Sequence, residues 1–187
     1  MPRHTDARIN AIRTAERLFR TQGYAATGLI QIIQESGAPK GSFYFHFPGG
    51  KRQLALEVIA AYRARTSAGL RALAEWAAGD ADKFLRALTK ATAEEMAAAG
   101  WASGCVAQTL SQELAPDDTE MADAAAALFD EWVEIIASAI GPSEGDRSAR
   151  KRAMALVAAL EGARMLARAH RSAAVIDAVL GEFRGRT

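Results

Sequence analysis

Thr27–Leu54, TGLIQIIQESGAPKGSFYFHFPGGKRQL, is the stretch that decides the fold. Leu29, Ile32 and Ile33 recur at helical spacing and stop at Ser36-Gly37. Pro39 suits a first helical turn, where its missing N–H has no intrahelical partner. The pattern predicts two short helices joined by a tight turn, the second basic and followed by aromatics, as in a helix-turn-helix. Gly37 stands at the reversal, where a residue without Cβ reaches positive φ at little steric cost. The Thr27 hydroxyl is expected to cap the first of the two helices.

Upstream, an amphipathic helix is expected from Thr5, read as its N-cap with Asp6 following, to Gly23 as its C′ residue. Ile9, Ile12, Ala15, Leu18 and Phe19 form its apolar side, and Arg13, Arg17 and Arg20 lie elsewhere. Ile32, Ile33 and Phe43 are expected to pack the two short helices onto it. Downstream, helices are expected at about Lys51–Ala78, Asp80–Ala99, Cys105–Leu114, Asp117–Ile140, Glu144–His170 and Ser172–Phe183, separated by Gly and Pro punctuation. With abundant alanine, five prolines and no alternating β-branched run, the fold class is all-α. Its expected domains are a helix-turn-helix unit over 1–50 and a helical bundle over 51–187.

Residues 1–54 hold eight Lys/Arg against three Asp/Glu, a formal +5, and the rest holds 15 against 19, or −4. A basic end on an acidic chain is drawn to a polyanion; the same charges also suit a plain solvated helix face. No stretch is long and apolar enough to suggest a membrane span, and MPRHTDARIN lacks the apolar run of a secretory signal. With a single cysteine, the chain is expected to be cytoplasmic and to have no membrane partner.

In the helix-turn-helix reading, Lys40, Gly41 and Ser42 face the major groove. Lys40 reaches guanine acceptors or a phosphate, Ser42 pairs with several base edges, and Gly41 lets the backbone approach closely. Tyr44 and His46 are placed to meet phosphate oxygens, and Lys51 adds a cation to the first turn of the next helix. His46 could equally cover an aromatic cluster of Phe43, Phe45 and Phe47.

The order Thr, Ile-Ile, Ser-Gly-Ala, Lys-Gly-Ser-Phe-Tyr-x-His-Phe, Gly-Lys, Leu resembles the DNA-binding signature of TetR-family transcriptional repressors, most of all the LmrA/YxaF-like subgroup. The likeness spans residues 5–54; three differences are Pro39 at the usual Ser/Thr cap, Ile33 at a usually small position and one extra residue in Pro48-Gly49-Gly50. It implies a homodimer that binds a palindromic operator in double-stranded DNA and carries a ligand pocket in a variable C-terminal bundle. Carried over position by position, it implies recognition residues Lys40, Gly41 and Ser42 and phosphate contacts Thr27, Tyr44, His46 and Lys51.

Two further sets of residues complete the expectation. Large adaptable side chains, namely Tyr62, Met96, Trp101, Cys105, Gln108, Phe129, Trp132 and Met165, are the candidates for a pocket that takes a small hydrophobic effector. Cys105 also reads as a small buried hydrophobe. Ala153, Leu156, Val157, Leu160, Ala163 and Ala167, with Val175, Ile176, Val179, Leu180 and Phe183, form a stripe suited to a two-fold four-helix interface, or to an intramolecular core.

Glu94-Glu95 and Asp117-Asp118 are adjacent acids pointing about 100° apart on a helix, so neither makes a catalytic or metal pair, and Asp117-Asp118 reads as favourable charge at a helix start. No phosphate loop, nucleophile elbow or ligand-spaced cluster accompanies the three histidines. The chain is therefore expected to be a ligand-responsive, DNA-binding transcriptional regulator, without cofactor or metal, and not an enzyme. The competing readings are a helical small-molecule module with a vestigial helix-turn-helix, and a protein-interaction adaptor.

Overall fold

The computed structural model describes residues 4–141 and 147–185, with side chains from Ala7 onward. The described residues are all-α: α1 (His4–Gln22), α2 (Leu29–Ser36), α3 (Lys40–His46), α4 (Gly50–Ala77), α5 (Ala81–Ala98), α6 (Val106–Leu114), α7 (Thr119–Ile140), α8 (Arg147–His170) and α9 (Ala174–Gly181). Thr5, expected as the N-cap, is the second residue of α1, and the helix start expected at Glu144 lies outside the described residues.

Two compact units divide the chain, one of Met1–Ala64 with Val106–Ala126 and the other of Arg65–Cys105 with Ala127–Thr187. The divisions fall inside α4 and α7, so each of these helices contributes to both units.

In the first unit, α1 supports α2, α3 and α6. Ala11, Ile12, Ala15, Leu18 and Phe19 are buried along one side of α1, while Arg13 and Arg17 are exposed, as the 3.6-residue period requires. Ile9 departs from the expected apolar side: it lies a turn from the helix start and is exposed. The helix ends at Gly23, whose φ of 89° lets its N–H close onto the Phe19 carbonyl at 3.1 Å. In the second unit, α8 and α9 pack together and α5 lies against both.

The turn between α2 and α3 is built by two residues. Gly37 takes φ 67° and donates to the Gln34 carbonyl, and the buried Ser36 hydroxyl donates to the Ile33 carbonyl at 3.1 Å while accepting from Ala38 N–H at 3.4 Å. Pro39 is the residue before α3, and its carbonyl accepts the Phe43 N–H at 3.0 Å. Ile32, Ile33 and Phe43 are buried, as expected.

Candidate functional site

The seven residues of α3 sort cleanly by face. Phe43 is buried and its ring lies 5.0 Å from that of buried Phe47, while Lys40, Gly41, Tyr44 and Phe45 are exposed and Ser42 and His46 half-buried. The expected cluster of Phe43, Phe45 and Phe47 is corrected here. Residues four apart share a helix face and the one between them points away, so Phe45 is 76% exposed. His46 meets Phe45 and Phe47 edge-on, with centroids 5.3 and 6.3 Å away, so it does stand against aromatic rings.

Thr27 differs from its expected capping role. The residue before α2 is Gly28, with no side-chain cap, whereas Thr27 is 0% exposed and its hydroxyl donates to the Gly23 carbonyl at 2.6 Å. Burial makes that bond to the end of α1 more favourable than a solvated cap. Lys51 lies in the first turn of α4, as expected, but its Nζ sits 4.0 Å from the centre of the Tyr24 ring. Burial pushes the Lys51 ammonium below the usual lysine range, with Glu113 acting the other way.

Charge is distributed differently in space than along the chain. The unit that holds α1–α3 carries nine Lys/Arg and nine Asp/Glu, because Glu57, Glu113, Asp117, Asp118, Glu120 and Asp123 join it. Arg8 pairs with Glu57, Arg17 with Glu35, Arg20 with Glu16, and Arg52 with Asp118 and Glu120. The expected basic end is thus offset by acids from later in the chain. Lys40 is exposed and makes no ion pair among the described residues, so the charge that α3 presents is local.

Two anchors that the sequence reading missed tie α6 to the turn before α2 and the start of α4 to that of α7. Glu113 on α6 accepts the backbone N–H groups of Tyr24 at 3.0 Å and Ala25 at 2.6 Å, in the turn between α1 and α2. Arg52 in the first turn of α4 grips Asp118 with Nε at 2.6 Å and Nη2 at 2.8 Å, and reaches Glu120 at 2.8 Å. Asp118 also accepts Met121 N–H at 3.1 Å, which makes it the expected favourable charge at a helix start, that of α7. The bonds from Arg52 hold the Asp118 carboxyl below its usual range. Gln53 completes the start of α4, accepting Gly49 N–H at 2.9 Å and donating to the His46 carbonyl at 3.3 Å. No local spacing announces pairs so distant in sequence.

The second unit carries a cavity of about 320 Å3, open to solvent on one side and lined from α4, α5, α7 and α8. Thr66, Leu70, Leu73, Leu88, Thr92 and Leu160 supply much of its wall, and Trp132, Glu95 and Arg164 its distinctive chemistry. The Trp132 indole N–H donates to Thr66 Oγ1 at 3.1 Å, and Phe129 stands edge-on to that ring at 5.8 Å. Of the expected pocket residues, Trp132 alone is among those lining this cavity. Met96 and Cys105 are buried elsewhere, Trp101 is half-buried, Met165 is exposed, and Tyr62 and Gln108 belong to the other unit. Large side chains fill the core here, and aliphatic ones leave the space.

Of the two uses open to the apolar stripe of α8 and α9, burial within the chain fits the intramolecular core. Ala153, Leu156, Val157, Leu160, Ala163, Ala167, Ile176 and Leu180 are buried within the chain, and Val175, Val179 and Phe183 are half-buried. This apolar side of α8 serves the chain's own core, where α9 and α5 lie. The opposite face exposes Met154, Met165 and Leu166 together with Ala155 and Ala158.

Among the described residues, no helix is long and apolar enough to cross a membrane, and no group of three or more His, Cys, Asp or Glu is placed to hold a metal ion.

Comparison with known proteins places this architecture. Residues 11–58 match the model for bacterial regulatory proteins of the tetR family, and residues 81–182 match that for the C-terminal domain of LmrA/YxaF-like transcriptional regulators. The HTH-type transcriptional regulator LmrA of Bacillus subtilis is 63% identical over 54 residues, a match covering 29% of this chain and 29% of that protein. An uncharacterized HTH-type transcriptional regulator of Mycobacterium tuberculosis is 33% identical over 181 residues, 91% of this chain and 89% of that protein. A TetR regulatory protein from Rhodobacter sphaeroides superposes with a TM-score of 0.81 at 26% identity, over 95% of this chain and 96% of that one. A TetR-family regulator from Agrobacterium tumefaciens gives 0.84 at 23% identity, over 98% of each chain. The chain belongs to the TetR family of bacterial transcriptional regulators.

Proposed function

We propose that this chain is a cytoplasmic, homodimeric repressor of the LmrA/YxaF-like subgroup that reads a palindromic operator with α3 and leaves it when a small apolar compound enters the cavity of the second unit. The observation that carries the reading is the sorting of α3. Phe43 anchors it on the core side, and Lys40, Gly41, Tyr44 and Phe45 stand exposed on the outer face of a helix held by a tight turn. Ser42, half-buried beside Lys40, completes the base-reading set, with Tyr44, His46 and Lys51 as flanking phosphate contacts. Thr27 acts through the fold, by fixing the entry to α2.

A partner subunit is proposed to cover the exposed apolar face of α8 at Met154, Met165 and Leu166, small residues between them allowing close approach. Two α3 helices then meet half-sites about 34 Å apart or a multiple of that distance. The link between ligand and operator is α4. Its Thr66, Leu70 and Leu73 line the cavity, and its first turn holds Lys51, Arg52 and Gln53 at the end of the reading region. A ligand shifts the equilibrium only by binding one conformer better than the other.

The test is titration of the purified protein against fragments of its own promoter across a salt series. Saturable binding that prefers the promoter to scrambled sequence and weakens with salt supports the reading. Equal binding to both, or no binding, overturns it.

A further inference from the structure

Two cations stand side by side in the first turn of α4, and the fold uses them differently. Arg52 is engaged inside the unit, bound to Asp118 and Glu120 at the start of α7. Lys51 makes no ion pair among the described residues, although Glu113 is near enough to act on its ammonium. Each Glu113 oxygen accepts a backbone N–H instead, Oε1 that of Tyr24 at 3.0 Å and Oε2 that of Ala25 at 2.6 Å. A lysine in this place is disfavoured twice: the positive end of the helix dipole repels it, and partial burial strips water from it. An approaching anion offsets both.

What fixes the ammonium is the ring of Tyr24, whose centre lies 4.0 Å from Lys51 Nζ. That ring is itself held from two sides. Buried Phe19 stands 5.3 Å away, centre to centre, and the Tyr24 backbone is tied to Glu113 immediately after the end of α1 at Gly23. A π face holds a cation without directing its N–H groups onto an oxygen, so the donors of Lys51 stay available. We propose that Tyr24 is a positioning residue for DNA: its ring holds the half-buried Lys51 ammonium ready to take a backbone phosphate. The inference rests on the proposed use of α3 as the reading helix, and adds a residue outside that helix on which a phosphate contact depends. Holding one long side chain in place before binding removes an ordering cost that complex formation otherwise meets.

The experiment is fluorescence anisotropy, at one salt concentration, of the full-length protein with its promoter fragment and a scrambled fragment, using Tyr24→Leu, Tyr24→Phe, Lys51→Ala and the double variant Tyr24→Leu/Lys51→Ala. Tyr24→Leu keeps apolar bulk without a π face. It is expected to weaken both fragments alike, by about three- to tenfold, because a phosphate contact carries no sequence information. In the Lys51→Ala background the same substitution is expected to change affinity less than about twofold. Tyr24→Phe, which keeps the ring and loses the hydroxyl, is expected to recover what Tyr24→Leu loses, and this separates the ring from a direct phenol contact to phosphate. Thermal melting shows that each variant is folded. Unchanged binding in folded Tyr24→Leu, an equal loss with and without Lys51, a loss confined to the promoter, or Tyr24→Phe as weak as Tyr24→Leu overturns the inference.

A second measurement needs no substitution. In NMR spectra of the wild-type protein, the Lys51 ε-methylene protons are expected upfield of their ordinary position, through the ring current of Tyr24, both free and with the promoter fragment bound; ordinary positions in either state overturn the inference. The two failures stay distinct. Wild type that prefers its promoter, matched by folded Tyr24→Leu, removes only the role of Tyr24. Wild type that prefers neither fragment removes the reading-helix account, and the phosphate role with it, whatever the Lys51 resonance shows.

Discussion

Glu113 and Tyr24, 89 residues apart in sequence, are joined by a 3.0 Å hydrogen bond from the Tyr24 backbone N–H to the Glu113 carboxylate. The same carboxylate takes Ala25 N–H, so α6 holds the turn from which α2 departs. Gly23 lies against it: a Cβ there would stand 2.8 Å from Glu113 Oε1, at a φ of 89° that side chains rarely adopt. Glu113→Ala is expected to destabilise by about 1 kcal/mol, discounted for solvent, lowering Tm by about 2–4 °C for a chain of this size. Gly23→Ala should cost more, because strain and contact add. Calorimetric melting of the two variants checks the order.

Phe43 and Phe45 are two residues apart on one helix and should behave oppositely. Phe43→Ala empties a fully packed site and should destabilise by about 3–5 kcal/mol. Phe45→Ala should leave the urea midpoint within about 0.5 kcal/mol of wild type, since the ring is exposed, and weaken operator binding. Urea titration and DNA binding on the same samples separate the effects.

Acid should expose the Arg52–Asp118 link. The folded Asp118 carboxyl lies below its ordinary value, chiefly through hydrogen bonds from Arg52, so its contribution is present above the unfolded pKa and is lost as pH falls through the lower folded one. Wild type should lose stability below about pH 4, the ordinary carboxylate range, and Asp118→Asn should flatten that part of the curve. Urea midpoints measured from pH 7 downward test the sign.

The exposed face of α8 replaces the buried stripe as the site to mutate. Met165→Arg, on a side chain that is 58% exposed, should yield monomers in sedimentation analysis with the fold intact. Ala163→Leu should instead overpack the chain's own core, with a loss of about 1–3 kcal/mol.

What could be read in advance was whatever local chemistry determines. Helical spacing, Gly23, Gly37 and the proline before α3 mark the helices to within a few residues, because those signals act within one turn. The face of α3 followed from period alone for Phe43, and period also explains why Phe45 is exposed. Long-range pairings were not legible. Asp118 was legible as a charge at a helix start but not as the partner of Arg52, and nothing local marks Glu113 as the partner of Tyr24; such distant acids are also why the basic excess of the N-terminal stretch is offset in space. The apolar stripe of α8 was visible as a stripe; which surface would cover it was not, since a core and an interface demand the same side chains. Likewise the cavity arises where Leu70, Leu73 and Leu160 leave space, and nothing in the spacing of the large side chains points there.

The most direct test of the central claim is fluorescence anisotropy of the chain's own promoter fragment and a scrambled control, with wild-type protein and Lys40→Ala at two salt concentrations. The account predicts tight, salt-sensitive binding that favours the promoter, and loss of that preference in Lys40→Ala while weak binding to both fragments persists. A variant that keeps the wild-type preference, or a wild type that binds both fragments alike, would contradict it.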